Sequence, residues 1–206
     1  MTLRIIQDAG DAEREFRAAI LKERRDAIEA GKTFAAACMS SDVAGFYRAV
    51  DQIGETVDGW RHAAIGVSRL RGVAPGIRDA FLSVWIESKM LPLMVGDRKA
   101  MAGALRVLML PAHQGEPIHL YRGASAKERR SATYGFSWST DFATARTFAE
   151  HWRKSEAGGV LLETIAPATA VLLRREIEGY YDEGEVVVDP YRLDRVKLVE
   201  RLPPVR

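Results

Sequence analysis

Apolar residues recur at helical spacing through the first half of the chain. Among the helix-favouring residues of segment 11–30, Phe16, Ile20 and Ile28 lie near one face, and Gly31 predicts the end of that helix. Comparable patterns predict helices over four further segments: 42–53, 58–70, 75–90 and 96–110. We interpret the aromatic and methionine side chains of this half as a helix-packing core.

The pattern changes near residue 111, where short apolar runs begin to alternate with turn residues. These runs predict strands at 118–122, 159–164, 170–173, 185–188 and 196–202, and a helix at 141–152 interrupts them. Helices followed by strands predict an α+β fold, and not a doubly wound parallel sheet. We therefore expect a helical region at 1–112 and a strand-rich region at 113–206.

Composition narrows the class of protein but assigns no chemistry. The 206 residues carry a formal net charge of +2, which gives no electrostatic argument for a nucleic-acid or membrane partner. No apolar stretch is long enough to span a bilayer, and the N-terminus lacks the pattern of a signal peptide. These features predict a cytoplasmic protein, although export without a recognisable signal stays compatible with them. Cys38 cannot form an internal disulfide, and the four histidines have no metal-ligand spacing, so we expect no metal.

Two glutamates stand at the start of a β-branched run, in Glu183-Gly184-Glu185 followed by three valines. If this segment is extended, Glu183 and Glu185 point to the same side of the strand. Adjacent carboxylates repel each other, and each is costly to remove from water. The pair is therefore either an exposed strand end or a functional site.

Two further segments carry candidate chemistry. Arg122 leaves a predicted strand into a glycine turn, where a guanidinium can bind a phosphate or a carboxylate. In 135–141, hydroxyl residues alternate with large aromatic residues, which is typical of a strand with one buried face. Asp141 or Thr140 could cap the following helix. A cap alone does not explain why Ser137 and Ser139 share a face.

Taken together, these motifs resemble the Arg-Ser-Glu branch of the mono-ADP-ribosyltransferase superfamily, over residues 118–199. The resemblance is strongest to bacterial and phage members. It rests on Tyr121-Arg122-Gly123, on the segment from Gly135 to Asp141, on Phe148-Ala149, and on the segment from Glu183 to Pro190. The family's Ser-Thr-Ser motif reads Ser139-Thr140-Asp141 here, so the serine role falls to Ser137 or Ser139. The resemblance implies a split, mostly antiparallel β-core.

The resemblance also implies roles for individual residues. Glu185 would hold a hydroxyl of the nicotinamide ribose and stabilise the cation formed as nicotinamide leaves. Arg122 would anchor a phosphate, a serine would orient the glutamate or the ribose, and Glu183 would align an acceptor guanidinium. The residues implied in NAD binding are Arg122, Gly123, Phe136, Trp138, Ser139 and Thr140. Those implied in acceptor recognition are Tyr180, Tyr181 and Glu183.

The expected activity is transfer of ADP-ribose from NAD to a protein, at arginine. Two alternatives stay open at this point: an NAD glycohydrolase that uses water as acceptor, and an inactive interaction module on the same scaffold. The resemblance leaves the biological role open among a toxin or effector, a prophage-encoded modifier of host proteins, and a self-regulating enzyme.

Overall fold

The computed structural model describes the backbone of residues 2–88, 90–109, 115–174 and 184–205, and side chains from residue 11 onward. The chain divides into two compact units, Met1–Leu108 and Met109–Arg206, and each is described by itself. Helices fill the first unit, and a six-stranded antiparallel sheet organises the second. The α+β fold predicted from the order of elements is therefore confirmed.

The first unit contains helices where the apolar periodicity predicts them. Their bounds are α1 Thr2–Ser40, α2 Val43–Gly54, α3 Gly59–Val67, α4 Pro75–Glu87, α5 Leu91–Val95 and α6 Arg98–Leu108. The short helix α5 was not predicted, because five residues are too few to show a helical period. The Asp42 side chain accepts a hydrogen bond from the Gly45 N–H and so caps α2.

The predicted end of α1 at Gly31 is wrong, because the helix continues to Ser40. A Cβ at residue 31 would lie 2.7 Å from the carbonyl carbon of His62 and 2.8 Å from the nitrogen of Ala63. Gly31 therefore allows α1 to approach the backbone of α3. The glycine serves helix packing and does not stop the helix.

The buried face of α1 begins at Ala27 and includes Phe34, whose ring centroid lies 4.9 Å from that of Phe46 on α2. The side chains of residues 11–26 are all exposed. Phe16 is 66% exposed, so its prediction as a core residue is wrong, and Ile20, which shares its helical spacing, is 49% exposed. Their helical spacing is real, but spacing alone does not show whether a neighbouring element covers the face.

The described part of the second unit is a sheet with two short α-helices. Its elements are β1 Ile118–Ser125, α7 Ala126–Ser131, β2 Ser137–Ser139, α8 Phe142–His151, β3 Gly159–Ala166, β4 Val171–Arg174, β5 Glu185–Val188 and β6 Val196–Leu202. The strand order is β4-β5-β2-β1-β3-β6, and every neighbouring pair is antiparallel. The predicted strands and the predicted helix are confirmed, with β5 and β6 at the predicted bounds. The helix α7 was not predicted.

The junction between β1 and β2 is the narrowest part of this sheet. Only Tyr121 and Ser139 are in register there, whereas β1 and β3 pair along their full lengths. All six strands nevertheless belong to one sheet. The split implied by the resemblance thus takes the form of a narrow junction, and not of two separate sheets.

Each face of the sheet packs against different side chains. One face carries an apolar core that includes Leu120, Trp138 and Val186. On the other face, Ala145 and Ala149 of α8 pack on Leu161 and Leu202, with Tyr121 beside them. A Cβ at Gly123 of β1 would overlap the backbone of α8 at Ala145 and Ala149, so glycine permits this close packing. The start of α8 is thereby held next to β1.

Candidate functional site

Ser139 of β2 and Glu185 of β5 are directly opposite each other in the antiparallel ladder. Residues paired in this way share a face, with Cβ atoms roughly 4.5–5.5 Å apart. Ser139 is buried and Glu185 is half-buried. Ser137 lies opposite Val187 instead. Of the two serines left open by the sequence, Ser139 is therefore the one placed beside the glutamate.

Local hydrogen bonding orients the Ser139 hydroxyl. Its Oγ accepts a hydrogen bond from the backbone N–H of Asp141, at 2.9 Å. This bond fixes the Ser139 oxygen on the sheet face where Glu185 is the cross-strand neighbour.

Gly184 sets the chain path into β5. Its φ is +55°, in the left-handed region, and its carbonyl oxygen accepts a hydrogen bond from the Thr140 N–H at 3.0 Å. A Cβ at this position would overlap the Thr140 side chain. The glycine between the two glutamates is therefore required by the backbone, because only glycine adopts this conformation without strain.

The described part of this segment begins at Gly184, whose left-handed conformation directly precedes the first strand residue, Glu185. The predicted shared side of Glu183 and Glu185 is therefore not tested. Glu183, Tyr180 and Tyr181 lie outside the described residues. Their predicted acceptor-recognition roles stay predictions.

Arg122 does not share the face of Glu185. Tyr121 pairs with Ser139, which pairs with Glu185, so the adjacent residue Arg122 points to the opposite face. The resemblance implies that Arg122 and Glu185 act on one dinucleotide, but their side chains lie on opposite faces of the sheet here. Alternation was visible in the sequence, but which of two neighbouring residues faces Glu185 depends on the register with a distant strand.

The Arg122 guanidinium is bound within the protein. Its Nε donates to Oε1 of Glu128 at 2.8 Å, and one Nη donates to the other carboxylate oxygen at 3.2 Å. Its other Nη donates to the backbone carbonyl of Ser137 at 2.5 Å. Glu128 also accepts the Gly135 N–H at 2.8 Å. We call this arrangement the Arg122–Glu128 brace, because it ties β1 to the segment leading into β2.

Among the other residues implied in NAD binding, three are covered by the protein and one is exposed. Phe136 and Trp138 are 3% and 2% exposed, and the Trp138 indole N–H donates to the Gly135 carbonyl oxygen. Gly123 lies under α8. Thr140 is exposed, and its hydroxyl donates to the Gly184 carbonyl oxygen at 3.4 Å. Of these four, Thr140 alone presents a side chain to solvent.

Asp141 caps α8. Its carboxylate accepts a hydrogen bond from the Thr144 N–H, and the hydrogen bonds with Thr144 hold the pKa of that carboxyl below its usual value. The aspartate at the third position of the Ser-Thr-Ser motif thus has a structural role. A serine there could form the same type of cap.

A row of polar side chains extends from Ser139 across the same face, which the sequence analysis missed. Tyr121 pairs with Ser139 on one side and with Glu163 of β3 on the other, and Glu163 pairs with Lys197 of β6. Lys197 Nζ lies 3.2 Å from the Glu163 carboxylate, and this hydrogen bond is the main cause of that carboxyl's lowered pKa. The spacing His119-x-Tyr121 in a strand was the available signal, but its partners are distant in sequence.

The described residues contain no group of three or more His, Cys, Asp and Glu side chains that could hold a metal ion. No helix among the described residues is long and apolar enough to cross a membrane. Comparisons with protein-family models, with curated proteins and with solved structures found no match to this chain.

Proposed function

We propose that this chain is an NAD-dependent mono-ADP-ribosyltransferase that modifies proteins at arginine, with Glu185 and Ser139 as its catalytic pair. The observation that carries the proposal is the cross-strand position of Ser139 opposite Glu185, at the edge where β5 begins. The antiparallel sheet with α8 packed on it also agrees with the core that the resemblance implies.

The chemistry requires a carboxylate beside a breaking glycosidic bond. As nicotinamide leaves with the bonding electron pair, positive charge develops on the ribose, and a fixed carboxylate stabilises it. Glu185 supplies this charge, and Ser139, which lies opposite it in the ladder, would orient the carboxylate or the ribose. A half-buried position favours the reaction, because charges interact more strongly where water is partly excluded.

The acceptor then bonds to the same ribose carbon and loses a proton. An arginine acceptor would be aligned by a second carboxylate, the role that the resemblance gives to Glu183. Water in the same position would give the glycohydrolase reaction. The two reactions share bond breaking and differ only in what occupies the acceptor side.

The Arg122–Glu128 brace favours the second candidate function, an inactive interaction module. Glu128 already pairs with the Arg122 guanidinium, so this arginine would have to exchange its carboxylate partner to bind a diphosphate. In an active transferase, either the brace opens when NAD binds, or Arg122 acts only by holding the segment before β2. An inactive interaction module needs neither an open brace nor a special role for Arg122. If the chain is such a module, it should not cleave NAD.

Labelled NAD tests the transferase directly. The purified protein, incubated with NAD labelled in its adenylate part and with a cell lysate, should label proteins at arginine. Glu183→Gln should abolish arginine labelling and keep slow nicotinamide release, because that residue is assigned to the acceptor. Glu156→Gln, an exposed carboxylate change in the same unit, is the control. Labelling of another residue type would contradict the arginine assignment, and equal loss of both activities in Glu183→Gln would contradict the division of roles.

A further inference from the structure

We infer that Tyr121, His119 and Glu163 form a proton relay that deprotonates the acceptor, an inference that rests on the proposed function. The three side chains share the sheet face of Ser139 and Glu185, because Tyr121 pairs with Ser139 and with Glu163, and His119 lies two residues before Tyr121 on β1. They form a group that neither bond breaking nor the brace uses.

The contacts run in one order from the hydroxyl to the carboxylate. The Tyr121 hydroxyl lies 3.5 Å from Nδ1 of His119, and Nε2 of His119 lies 3.3 Å from Oε2 of Glu163. A reacting hydroxyl, an imidazole and an orienting carboxylate in this order make up the general-base arrangement of many enzymes. Such contacts are commonly long without substrate and shorten when it binds.

One tautomer of His119 satisfies both contacts. With its hydrogen on Nε2, the ring donates to Glu163 and can accept the Tyr121 hydrogen at Nδ1. Glu163 is also held by Lys197, so the carboxylate stays ionised and fixed. Among the described charged side chains, Glu163 contacts the imidazole directly and Lys197 contacts Glu163.

The position of the relay suits the acceptor side of the reaction. Neighbouring strands lie about 4.8 Å apart, so the backbones of Tyr121 and Glu185 are separated by about 10 Å across β2. Tyr121 and Glu185 thus flank Ser139 on one face of the sheet. His119 is 52% exposed and Tyr121 is half-buried, so an acceptor can reach them from solvent. Phe142 of α8 packs edge-on against the Tyr121 ring, with centroids 5.2 Å apart, and restricts its orientation.

The proposed step balances in atoms and charge. The acceptor N–H or O–H forms its bond to the ribose carbon and gives its proton to the Tyr121 oxygen. Tyr121 passes its own hydrogen to Nδ1 of His119, which becomes an imidazolium beside the Glu163 carboxylate. Bulk water later removes that proton. Tyr121 is the group that touches the acceptor, and His119 and Glu163 act through it.

The first test is the pH dependence of ADP-ribose formation from NAD and water. His119→Ala and Tyr121→Phe should each lower kcat on the order of 100-fold and leave KM for NAD within about twofold. The pH profile of wild-type kcat should change in both variants, because each loses a group that transfers the acceptor proton. His151→Ala, which removes an exposed histidine at the end of α8, should match the wild type. Retention of the wild-type pH profile by His119→Ala overturns the relay.

The second test needs no activity and separates the relay from the proposed function. Nitrogen-15 NMR at pH 8 should show the His119 hydrogen on Nε2. Tyr121→Phe should shift the Nδ1 resonance, and Glu163→Gln should shift the Nε2 resonance. A hydrogen on Nδ1, or resonances unmoved by both changes, overturns the relay whether or not the protein cleaves NAD. The expected shifts in a protein that releases no nicotinamide would support the hydrogen-bonded relay while refuting the transferase.

Discussion

At the scale of single residues, Arg122 and Glu128 connect three parts of the chain that are apart in sequence. Their side chains are 18% and 14% exposed, and together they satisfy the Ser137 carbonyl and the Gly135 N–H. A charged side chain that loses its partner in such a setting leaves an unpaired group with little access to water. The brace therefore contributes to stability, whatever its part in binding NAD.

We predict that Arg122→Ala and Glu128→Ala each lower the free energy of unfolding by roughly 1–3 kcal/mol. The double variant should lose less than the two losses combined, since the second change removes a group that the first left unpaired. Urea denaturation of all four proteins measures this. Arg146→Ala, which breaks exposed ion pairs with Glu150 and Glu200, is the matched control and should lower the free energy of unfolding less than either brace variant.

The same variants distinguish direct NAD binding by Arg122 from a purely structural role in the brace. If Arg122 binds NAD directly, Glu128→Ala should keep NAD affinity while Arg122→Ala loses it. If the arginine acts only as a brace, both variants should weaken NAD binding alike. Additive losses in the urea experiment would contradict the brace itself.

At the scale of elements, α8 depends on the residues that precede it. Asp141 caps the helix, the Asp141 N–H binds Ser139, and glycines in β1 and β3 admit the helix backbone. The cap and the candidate catalytic serine are thus parts of one turn. Loss of the cap should loosen the position of Ser139 as well as the end of the helix.

We predict that Asp141→Ala destabilises the protein by about 1 kcal/mol at neutral pH, whereas Asp141→Ser, which can also cap, costs only a few tenths. The carboxyl pKa is lowered in the folded state, so its contribution is complete above the unfolded pKa of about 3.9 and is lost as the pH falls through the folded value. The stability gap between wild type and Asp141→Ala should therefore narrow below pH 4. Thermal unfolding from pH 3 to 7 measures it, and a gap that is constant with pH would contradict the cap.

At the scale of the whole molecule, the sequence predicted those features that depend on neighbouring residues. The strands Glu185–Val188 and Val196–Leu202 follow from local β-branched and alternating patterns. The order of helices and strands gave the fold class. The length and burial of α1 were predicted less well, because Gly31 acts through its contact with α3 and Phe16 is exposed despite its helical spacing.

In the candidate site, too, the sequence predicted some residues and missed those that depend on distant contacts. The sequence pointed to Glu185 and Ser139, which the register places opposite each other. It could not choose between Ser137 and Ser139, because both share one strand face and only the pairing with β5 separates them. It did not show that Arg122 and Glu185 lie on opposite faces, and it missed the contacts of Glu128 and Glu163, which join distant parts of the chain.

The most direct test of the central claim is nicotinamide release from NAD by wild type and by Glu185→Gln. The variant keeps the shape of the side chain and removes the charge that would face the ribose cation. We predict that the wild type releases nicotinamide and that Glu185→Gln lowers kcat on the order of 100-fold or more. The control Glu156→Gln should release nicotinamide at the wild-type rate. Equal release by wild type and Glu185→Gln, or no release by either, would contradict the assignment of Glu185 and would favour the interaction module.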